Sequence, residues 1–344
     1  MNWMSKLVCA GVAAAGLVAG GATAAESPTV KKIQARGKLQ CSAPAGGYPG
    51  FYEVDDKGQW KGLEADLCRA IAVTVLGAPD KAAAVPVSFA QRFPALQSGD
   101  IDVVLMVTTW TLQRDTALGF QFSNPYFYGG AQFMVKKSLG VTAANQLSGA
   151  TICTIAGTTT ERMLVDFMER NKLPYKVVAT EKAEESRESY LAGRCDAFVG
   201  WGPGLASFRV SKAKVPDEHV ILPDILTNEP ISAVVRQDDD VFLDMVNWTL
   251  AAVVEAEDLG ITSKNVDEMK KSDNIRVKRL LGVTPGIGKA LGLQEDWAYQ
   301  VIKQVGNFGE LYDRSLGQGS PYKLDRGLNK LWNQGGLLSA PIFD

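Results

Sequence analysis

The chain has 344 residues with a formal net charge of −2 at pH 7, and 46% of its residues are hydrophobic. A chain of this length suggests two domains, or one large one, with ample material for a buried core. The nearly balanced charge gives no indication of binding to nucleic acid or to a membrane surface.

Residues 1–25 have the features of a secretory signal peptide. Lys6 precedes an apolar run of Ala, Gly, Val and Leu, and Ala22-Thr23-Ala24-Ala25 supplies small residues for cleavage before Glu26. Removing this segment removes one lysine and no acid, so the formal charge changes from −2 to −3. Because no later segment is long and apolar enough to span a bilayer, we expect an exported, soluble protein.

The cysteines indicate disulfide bonds rather than a metal site. Cys9 lies at the start of the apolar run, too early for a lipoprotein cleavage site, which leaves an even number: Cys41, Cys68, Cys153 and Cys195. In an oxidising compartment this favours two disulfides, with three possible connectivities. A tetrahedral zinc site is the alternative, but the sequence contains no CxxC pair and a single histidine, His219. No metal and no other cofactor is expected.

The first part of the chain is predicted to alternate strands and helices. A loop rich in glycine and proline, Pro44–Tyr52, follows the first strand. A helix begins near Leu63 and ends at Gly77, and a shorter helix covers Phe89–Gln97. Ile101–Met106 is then a short apolar run, which is typical of a buried parallel strand.

The segment directly after that strand is the first candidate binding site. Thr108 and Thr109 precede Arg114, and open α/β sheets bind ligands beyond the carboxyl ends of their strands. An arginine offers five donors in a flat fork, which suits two-point capture of a carboxylate. The alternative is that Arg114 is an ordinary surface residue of a helix.

The second half of the chain repeats the pattern of the first. Gly149–Cys153 resembles Gly37–Cys41, and Leu191–Asp196 resembles Leu96–Asp102. Together these similarities suggest two lobes of similar βα construction. If each lobe has its own cysteine pair, the economical pairing is Cys41 with Cys68 and Cys153 with Cys195.

A second candidate site follows the strand Thr151–Ile155. Thr158 and Glu161 have the spacing of a capping box, so a helix should begin here. Its free amides and the threonine hydroxyls would suit an anion. The alternative is an ordinary capped helix without a ligand.

Two extended segments, Ala131–Val135 and Ile231–Val235, are predicted to cross between the lobes and form a hinge. The expected division is 26–135 with 232–344 as lobe 1, including a helical C-terminal extension, and 136–231 as lobe 2. A long helix is predicted from Asp238 to Glu257.

Several motifs resemble those of the extracytoplasmic amino-acid-binding proteins of bacterial ABC importers, solute-binding protein family 3. In chain order they are Gly62–Leu67, Leu96–Asp102, Thr109–Arg114 and Phe122–Tyr126. Three segments are similar to the general L-amino-acid-binding branch of that family: Thr108–Leu112, Ile302–Asn307 and Arg326–Asn329. The resemblance covers about residues 30–260, and the branch segments extend it almost to the C-terminus.

The resemblance implies a bilobal, type II periplasmic binding protein, an α/β fold with two lobes joined by two crossover strands. It implies a periplasmic monomer that captures a small amino acid or related carboxylate and delivers it to an ABC permease complex in the inner membrane. A periplasmic dehydratase on the same scaffold, or a ligand-loaded receptor for a membrane sensor, is the alternative. Catalysis is disfavoured because His219 is expected in a surface turn.

The resemblance also implies roles for individual residues. Arg114 would clamp the ligand carboxylate, Thr109 would bond the same group, and Val107 would contribute its backbone. In the second lobe, Thr158 and Thr159 would close over the carboxylate. Further contacts are expected from Thr108, Trp201, Tyr48, Phe89 and Phe51.

Two positions depart from the family pattern. Trp201 occupies the place of an aspartate for the ligand's ammonium group, and Met106-Val107 replaces an arginine and an asparagine. A buried ammonium without a counter-charge is costly, so either another acid serves it or the ligand is not a plain α-amino acid. The second option suggests a betaine-like ligand near Trp201, Trp110, Tyr48 and Phe51. The alternative for Trp201 is that it only fills space beside a small ligand.

Overall fold

The computed structural model describes residues 26–344. The expected signal peptide, with Lys6 and Cys9, lies outside the described residues. Within the described range, none of the helices combines the length and the apolarity that a membrane span requires.

The strands are short and are distributed over the whole chain. They are β1 Leu39–Pro44, β2 Glu53–Val54, β3 Trp60–Lys61, β4 Ala82–Val87, β5 Phe120–Phe122, β6 Phe127–Gly129, β7 Ala131–Lys136, β8 Thr151–Ile155, β9 Lys176–Thr180, β10 Ala197–Trp201, β11 His219–Ile221, β12 Glu229–Ile231 and β13 Val234–Arg236.

The helices fill the intervals between the strands and most of the chain after β13. They are α1 Pro28–Arg36, α2 Leu63–Leu76, α3 Arg92–Ser98, α4 Thr159–Arg170, α5 Ala183–Leu191, α6 Gly202–Lys212, α7 Asp240–Asp258, α8 Val266–Met269, α9 Ile275–Leu280, α10 Ile287–Ala290, α11 Trp297–Gln304 and α12 Phe308–Ser315. Single 3₁₀ turns and one π turn are found at Pro79–Lys81, Gln113–Ala117, Lys137–Leu139, Ala144–Gln146, Pro216–Glu218, Gly327–Asn329 and Trp332–Gln334.

The first unit of the fold is organised around β1, which pairs in parallel with β4. The sheet continues through Val103, which pairs with Cys41, and through Val104, which pairs with Val234 in β13. β13 in turn pairs with β5. The first unit therefore uses strands from the beginning of the chain and from beyond residue 230.

The predicted strand Ile101–Met106 is shorter than expected, because only Val103 and Val104 pair with neighbouring strands. The next amides donate to side chains instead. Leu105 N donates to Ser42 Oγ at 3.1 Å, and Val107 N donates to Glu64 Oε1 at 2.7 Å. The sheet ends where these side-chain acceptors replace strand partners, and the loop that contains Thr108 and Thr109 begins there.

The second unit contains a five-stranded sheet with the order β11-β7-β10-β8-β9. β8 lies parallel to β9 and β10, whereas β7 is antiparallel to β10 and β11. The carboxyl ends of β8 and β10 point to the same edge, where α4 and α6 begin. This is the edge at which an α/β sheet binds ligands.

The strand pairing shifts the expected boundary between the lobes. Ala131–Val135 was predicted to end lobe 1, but β7 pairs with β10 from Ala131 to Val135 and so belongs to the sheet of the second unit. The segments that cross between the units are β6 and β12, which pair antiparallel with Phe127 opposite Ile231. The sequence could not show this, because the choice of sheet depends on partners that lie far along the chain.

The disulfide pairing proposed from the repeated pattern is confirmed. Cys41 in β1 is bonded to Cys68 in α2, and Cys153 in β8 is bonded to Cys195 just before β10. Each bond joins a strand to a neighbouring element of the same unit.

The motif Arg326–Asn329 attaches the C-terminal extension to a crossing strand. Asn329 Oδ1 accepts from Tyr128 N at 2.7 Å, and its Nδ2 donates to Tyr128 O at 2.9 Å. Arg326 donates to Asn329 O at 2.9 Å and forms an ion pair with Glu257 in α7. The extension thus holds β6 by both backbone polar groups of one residue.

We expect Asn329→Ala to lower the free energy of unfolding by about 1–3 kcal/mol, because it leaves both backbone groups of Tyr128 without their protein partner. Urea denaturation followed by circular dichroism measures the change. Asn333→Ala is the matched control, since Asn333 is exposed and donates to Asp258 at the surface. Equal effects of the two substitutions would contradict a role for Asn329 in holding β6.

Candidate ligand-binding site

A cavity of about 30 Å³ lies between the two units. Because one ordered water needs about 10–15 Å³, the cavity accommodates two or three water-sized groups in this arrangement. Its wall combines aromatic, hydroxyl-bearing and charged side chains from both units with short apolar segments: Tyr48, Phe89, Arg92, Val107, Thr154, Ile155, Thr158, Thr159, Thr160, Arg187, Phe198, Val199, Gly200, Trp201, Gly204, Leu205 and Glu229.

Arg92, at the start of α3, is the cation of the first unit that lines the cavity. Its side chain is 1% exposed, and its guanidinium lies 4.7 Å from the centroid of the Phe93 ring. One Nη donates to the carbonyl of Phe89, whereas Nε has no partner. Burial, with the nearby Arg114 and Arg162, holds the pKa of Arg92 below its usual range. Arg92 was not among the predicted site residues.

Arg114, the predicted carboxylate clamp, is buried behind this part of the site. Its Nη1 donates to Thr109 O at 2.7 Å, and its guanidinium lies 5.2 Å from the Phe93 ring. Burial lowers the pKa of Arg114 to about 10, and Arg162 acts in the same direction. Arg114 itself is not part of the cavity wall. Its contact with a ligand stays a prediction.

These two guanidiniums share one electrostatic property. Among residues 26–344, neither Arg92 nor Arg114 forms an ion pair with a carboxylate. Burying an uncompensated charge is unfavourable, and charged groups in protein interiors are normally paired. The arrangement therefore favours an anionic group at this end of the cavity.

Glu229, in the crossing strand β12, supplies the opposite charge. Its Oε2 accepts from Thr109 Oγ1 of the first unit at 2.7 Å and from Thr159 Oγ1 of the second unit at 3.3 Å. Its Oε1 accepts from Thr227 Oγ1 at 2.9 Å. In the described part of the chain this buried carboxylate has hydroxyl partners but no cation. Glu229 was not among the predicted site residues, because an isolated acid at the start of a short apolar strand forms no motif.

The start of α4 has the predicted cap. Thr158 Oγ1 accepts from Glu161 N at 3.1 Å. The side chain of Glu161 in turn accepts from the backbone amide of Gly157 at 2.8 Å. Thr158 and Thr159 both line the cavity. Nearby, the buried hydroxyl of Thr154 lines the same cavity without a hydrogen-bond partner. The cap is confirmed, whereas its closure over a ligand stays a prediction.

Trp201 lines the cavity at the end of β10. Its ring lies edge-on to those of Phe51 and Phe127, with both centroid distances 5.2 Å. A side chain at position 129 would meet the indole, because an added Cβ on Gly129 would lie 2.4 Å from Trp201 Nε1. That Nε1 is buried and has no partner.

Two of the predicted aromatic contacts lie elsewhere. Phe51 is fully buried behind the cavity wall and contacts Trp201 rather than the cavity. Trp110 is 38% exposed, stacks on Phe122 and donates to Asp115 at 3.0 Å. The structure therefore does not assemble the aromatic surroundings expected for a betaine, because local partners hold Trp110 at the surface.

Thr108 was also predicted to contact the ligand, but its hydroxyl donates to Met106 O at 3.0 Å and it is not part of the cavity wall. The preceding residue, Val107, does line the cavity and has a φ of 42°. The Thr108 hydroxyl therefore forms a hydrogen bond within the turn that places Val107 in the cavity wall.

Arg187 in α5 is a further buried cation in the cavity wall that the sequence analysis missed. Its guanidinium lies 4.7 Å from the centroid of the Tyr48 ring and donates to Gly47 O at 3.3 Å. Arg187 belongs to the second unit, and Gly47 and Tyr48 belong to the loop of the first. The contact therefore joins the two units across the cavity.

His219 does not lie in a surface turn. It is buried at the start of β11, and its Nδ1 is 2.8 Å from the hydroxyl of Tyr190. Neither residue lines the cavity, so this histidine is explained by packing. No group of side chains suited to holding a metal ion is found within the described range, residues 26–344.

The family model of bacterial extracellular solute-binding proteins, family 3, matches residues 42–265. The chain belongs to this family. AapJ, a general L-amino acid-binding periplasmic protein of Rhizobium johnstonii, is 48% identical over 339 residues, which cover 98% of each chain. BztA of Rhodobacter capsulatus, a glutamate/glutamine/aspartate/asparagine-binding protein, is 42% identical and covers 96% of this chain and 97% of its own.

The fold also matches that of a solved structure. A periplasmic binding protein of an ABC transporter from Brucella ovis, with glutathione bound, has a TM-score of 0.89 and 45% identity, covering 93% of this chain and 100% of that one. The predicted type II bilobal fold is thereby confirmed. The relatives are solute-binding proteins rather than enzymes, so the dehydratase alternative gains no support.

Glu64 belongs to the family motif Gly62–Leu67 and bonds the backbone of Val107 in the cavity wall. Its burial should make the stability of the fold depend on pH. It is fully buried, and its Oε1 accepts from Val107 N and from the Tyr126 hydroxyl. Burial raises the pKa of Glu64 from 4.5 to about 7, although both hydrogen bonds oppose the shift. The folded state thus holds the proton more tightly than the unfolded state. The resulting stabilisation is complete below about pH 4.5 and is lost as the pH rises to about 7.

We expect Glu64→Gln to remove this dependence, because glutamine is neutral and keeps an acceptor for Val107 N. At pH 8 the variant should exceed the wild type in unfolding free energy by up to about 3 kcal/mol, and the difference should shrink towards pH 4. Urea denaturation at pH 4, 6 and 8 measures it, with Glu188→Gln, at an exposed glutamate, as the control. A difference that does not vary with pH would contradict the assignment.

Proposed function

We propose that the protein captures a small amino acid, or an amino-acid-like carboxylate, between its two units and delivers it to an ABC permease complex. One observation carries the proposal. The buried guanidinium of Arg92 and the buried carboxylate of Glu229 line one cavity, and neither has an ion-pair partner in the described residues. A zwitterionic α-amino acid brings both missing charges.

In this proposal the ligand carboxylate lies against Arg92, with Arg114 behind it. The first amides of α4 face the same group from the second unit, since a helix N-terminus favours anions. The backbone of Val107 completes the first-unit side, because the hydroxyls of Thr109 and Thr159 donate their protons to Glu229. The ligand's side chain lies along the rings of Tyr48 and Phe89, which are 5.9 Å apart.

The ammonium group is assigned to Glu229. This carboxylate supplies the negative charge that the position of Trp201 lacks, so a ligand without an ordinary amine is no longer required. The packing of Trp201 against Phe51 and Phe127 favours the simpler interpretation that the indole fills space and limits ligand size. On binding, the hydroxyls of Thr109 and Thr159 would share Glu229 with the ammonium.

The location and partners follow from the same proposal. The relatives are named as periplasmic, and residues 1–25 have the composition of a signal peptide. We place the protein in the periplasm as a monomer whose two lobes close by bending at β6 and β12. With β7 counted in the second lobe, that lobe covers about 131–228. No nucleic acid or cofactor takes part.

We expect removal of the ligand amine to weaken binding strongly. Protein freed of ligand by unfolding and refolding is titrated calorimetrically with L-amino acids, their des-amino analogues and their trimethylated betaines. Ordinary L-amino acids should bind at least about 100-fold more tightly than their des-amino analogues and betaines. Glu229→Gln should remove most of this difference in affinity. Glu218→Gln, at an exposed acid, is the control. Tighter binding of a betaine would overturn the assignment of Glu229.

The two guanidiniums of the first unit are tested separately. Arg92→Gln and Arg114→Gln should each weaken amino-acid binding by about 30-fold or more, because each removes positive charge from a buried anion site. Arg170→Gln, at an exposed position of α4, is the control. An unchanged affinity in Arg114→Gln would remove Arg114 from the proposed site and leave Arg92 as its only first-unit cation.

A further inference from the structure

Arg187 remains without a role after the amino-acid head group has been assigned. Its guanidinium lies between two rings, 4.7 Å from the centroid of Tyr48 and 5.5 Å from that of Phe208. Burial is the main cause that lowers the pKa of Arg187. Glu184 attracts it from an exposed position, but within residues 26–344 no carboxylate forms an ion pair with it. The buried cation is therefore held by aromatic rings and a carbonyl, with Glu184 as a more distant negative charge and no ion-paired carboxylate.

The position of Arg187 relative to Arg92 is the second observation. Arg92 lies 5.4 Å from the centroid of Phe89, the Phe89 and Tyr48 rings are 5.9 Å apart, and Arg187 lies over Tyr48. All four residues line the same cavity. Arg92 and Arg187 thus contact Phe89 and Tyr48 respectively, two neighbouring rings of the cavity wall.

We propose that Arg187 determines specificity by binding a second anionic group, so that the preferred ligand is an α-amino acid with a carboxylate in its side chain. The inference rests on the proposed function. A ligand whose head group lies at Arg92 and Glu229 and whose side chain follows the Phe89–Tyr48 wall reaches Arg187 with its far end.

The charges of the site agree with this ligand class. Of the charged residues in the cavity wall, Arg92 and Arg187 are positive and Glu229 is negative, and Arg114 adds positive charge behind the wall. An acidic amino acid carries two carboxylates and one ammonium. The two rings and the bond to Gly47 O also restrict the Arg187 guanidinium, whose flat fork of donors suits two-point binding of a carboxylate. A side-chain amide has nearly the same shape but would leave the buried charge of Arg187 unbalanced.

The experiment compares ligands that differ only in that charge. Refolded, ligand-free protein is titrated calorimetrically with L-glutamate and L-glutamine, and with L-aspartate and L-asparagine. The wild type should prefer the acid of at least one pair by about 30-fold or more. In Arg187→Gln this preference should fall below about threefold, through weaker binding of the acid, while the affinity for the amide changes by less than about threefold.

Arg194→Gln is the matched control, because Arg194 is an exposed arginine of the same unit, and it should keep the wild-type preference. Equal binding of acid and amide by the wild type, or an equal loss for both ligands in Arg187→Gln, would overturn the inference while leaving the proposed function intact. Failure of every α-amino acid to bind would instead reject the proposed function and the inference with it. If Arg187→Gln does not fold, the wild-type ratio alone decides.

Discussion

The carboxylate of Glu229 is the point at which the two units and their connection meet. It lies in the crossing strand β12, and it accepts hydroxyl bonds from Thr109 in the first unit and Thr159 in the second. A buried carboxylate needs such donors, because its desolvation is otherwise uncompensated. The two hydroxyls can reach it together when the units lie close. Closure of the two units and stabilisation of the Glu229 charge therefore depend on each other. A cationic ligand group at Glu229 would favour the closed arrangement.

The positive charges of the site impose the complementary constraint. Arg92 and Arg187 come from different units, are buried in the same cavity wall and form no ion pair in the described chain. Burial of these unpaired charges is unfavourable, and in the proposed function an anionic ligand would relieve that cost and so would stabilise the folded protein. The rest of the fold offsets this local cost through its apolar cores and through disulfides within each unit.

Local signals in the sequence were sufficient for some features but not for those that depend on distant partners. The cap at Thr158 and the end of α2 at Gly77 follow from spacing and turn residues, and the disulfide pairing follows from the repeated pattern of the two halves; the structure has all of them. The strand after Ile101 was predicted too long, and Ala131–Val135 was expected to cross between the lobes, whereas β7 pairs with β10. Both depend on side-chain acceptors or strand partners from elsewhere in the chain. A charged residue that is not part of a recognisable motif also gives no sign of its role in the sequence. An arginine in a short helix and an acid before a proline look like surface residues until the fold buries them.

The departures from the family pattern near Thr108 can be understood through backbone strain. Val107 has a φ of 42°, a region in which asparagine is tolerated and a β-branched residue is not, at a cost of roughly 1–2 kcal/mol. The resemblance places an asparagine at this position, so valine here carries additional strain. The fully buried carboxyl group of Glu64 accepts from the Val107 amide and so holds this strained backbone in place. The acid of the family motif thus contacts the candidate site through the backbone amide of one residue in the cavity wall.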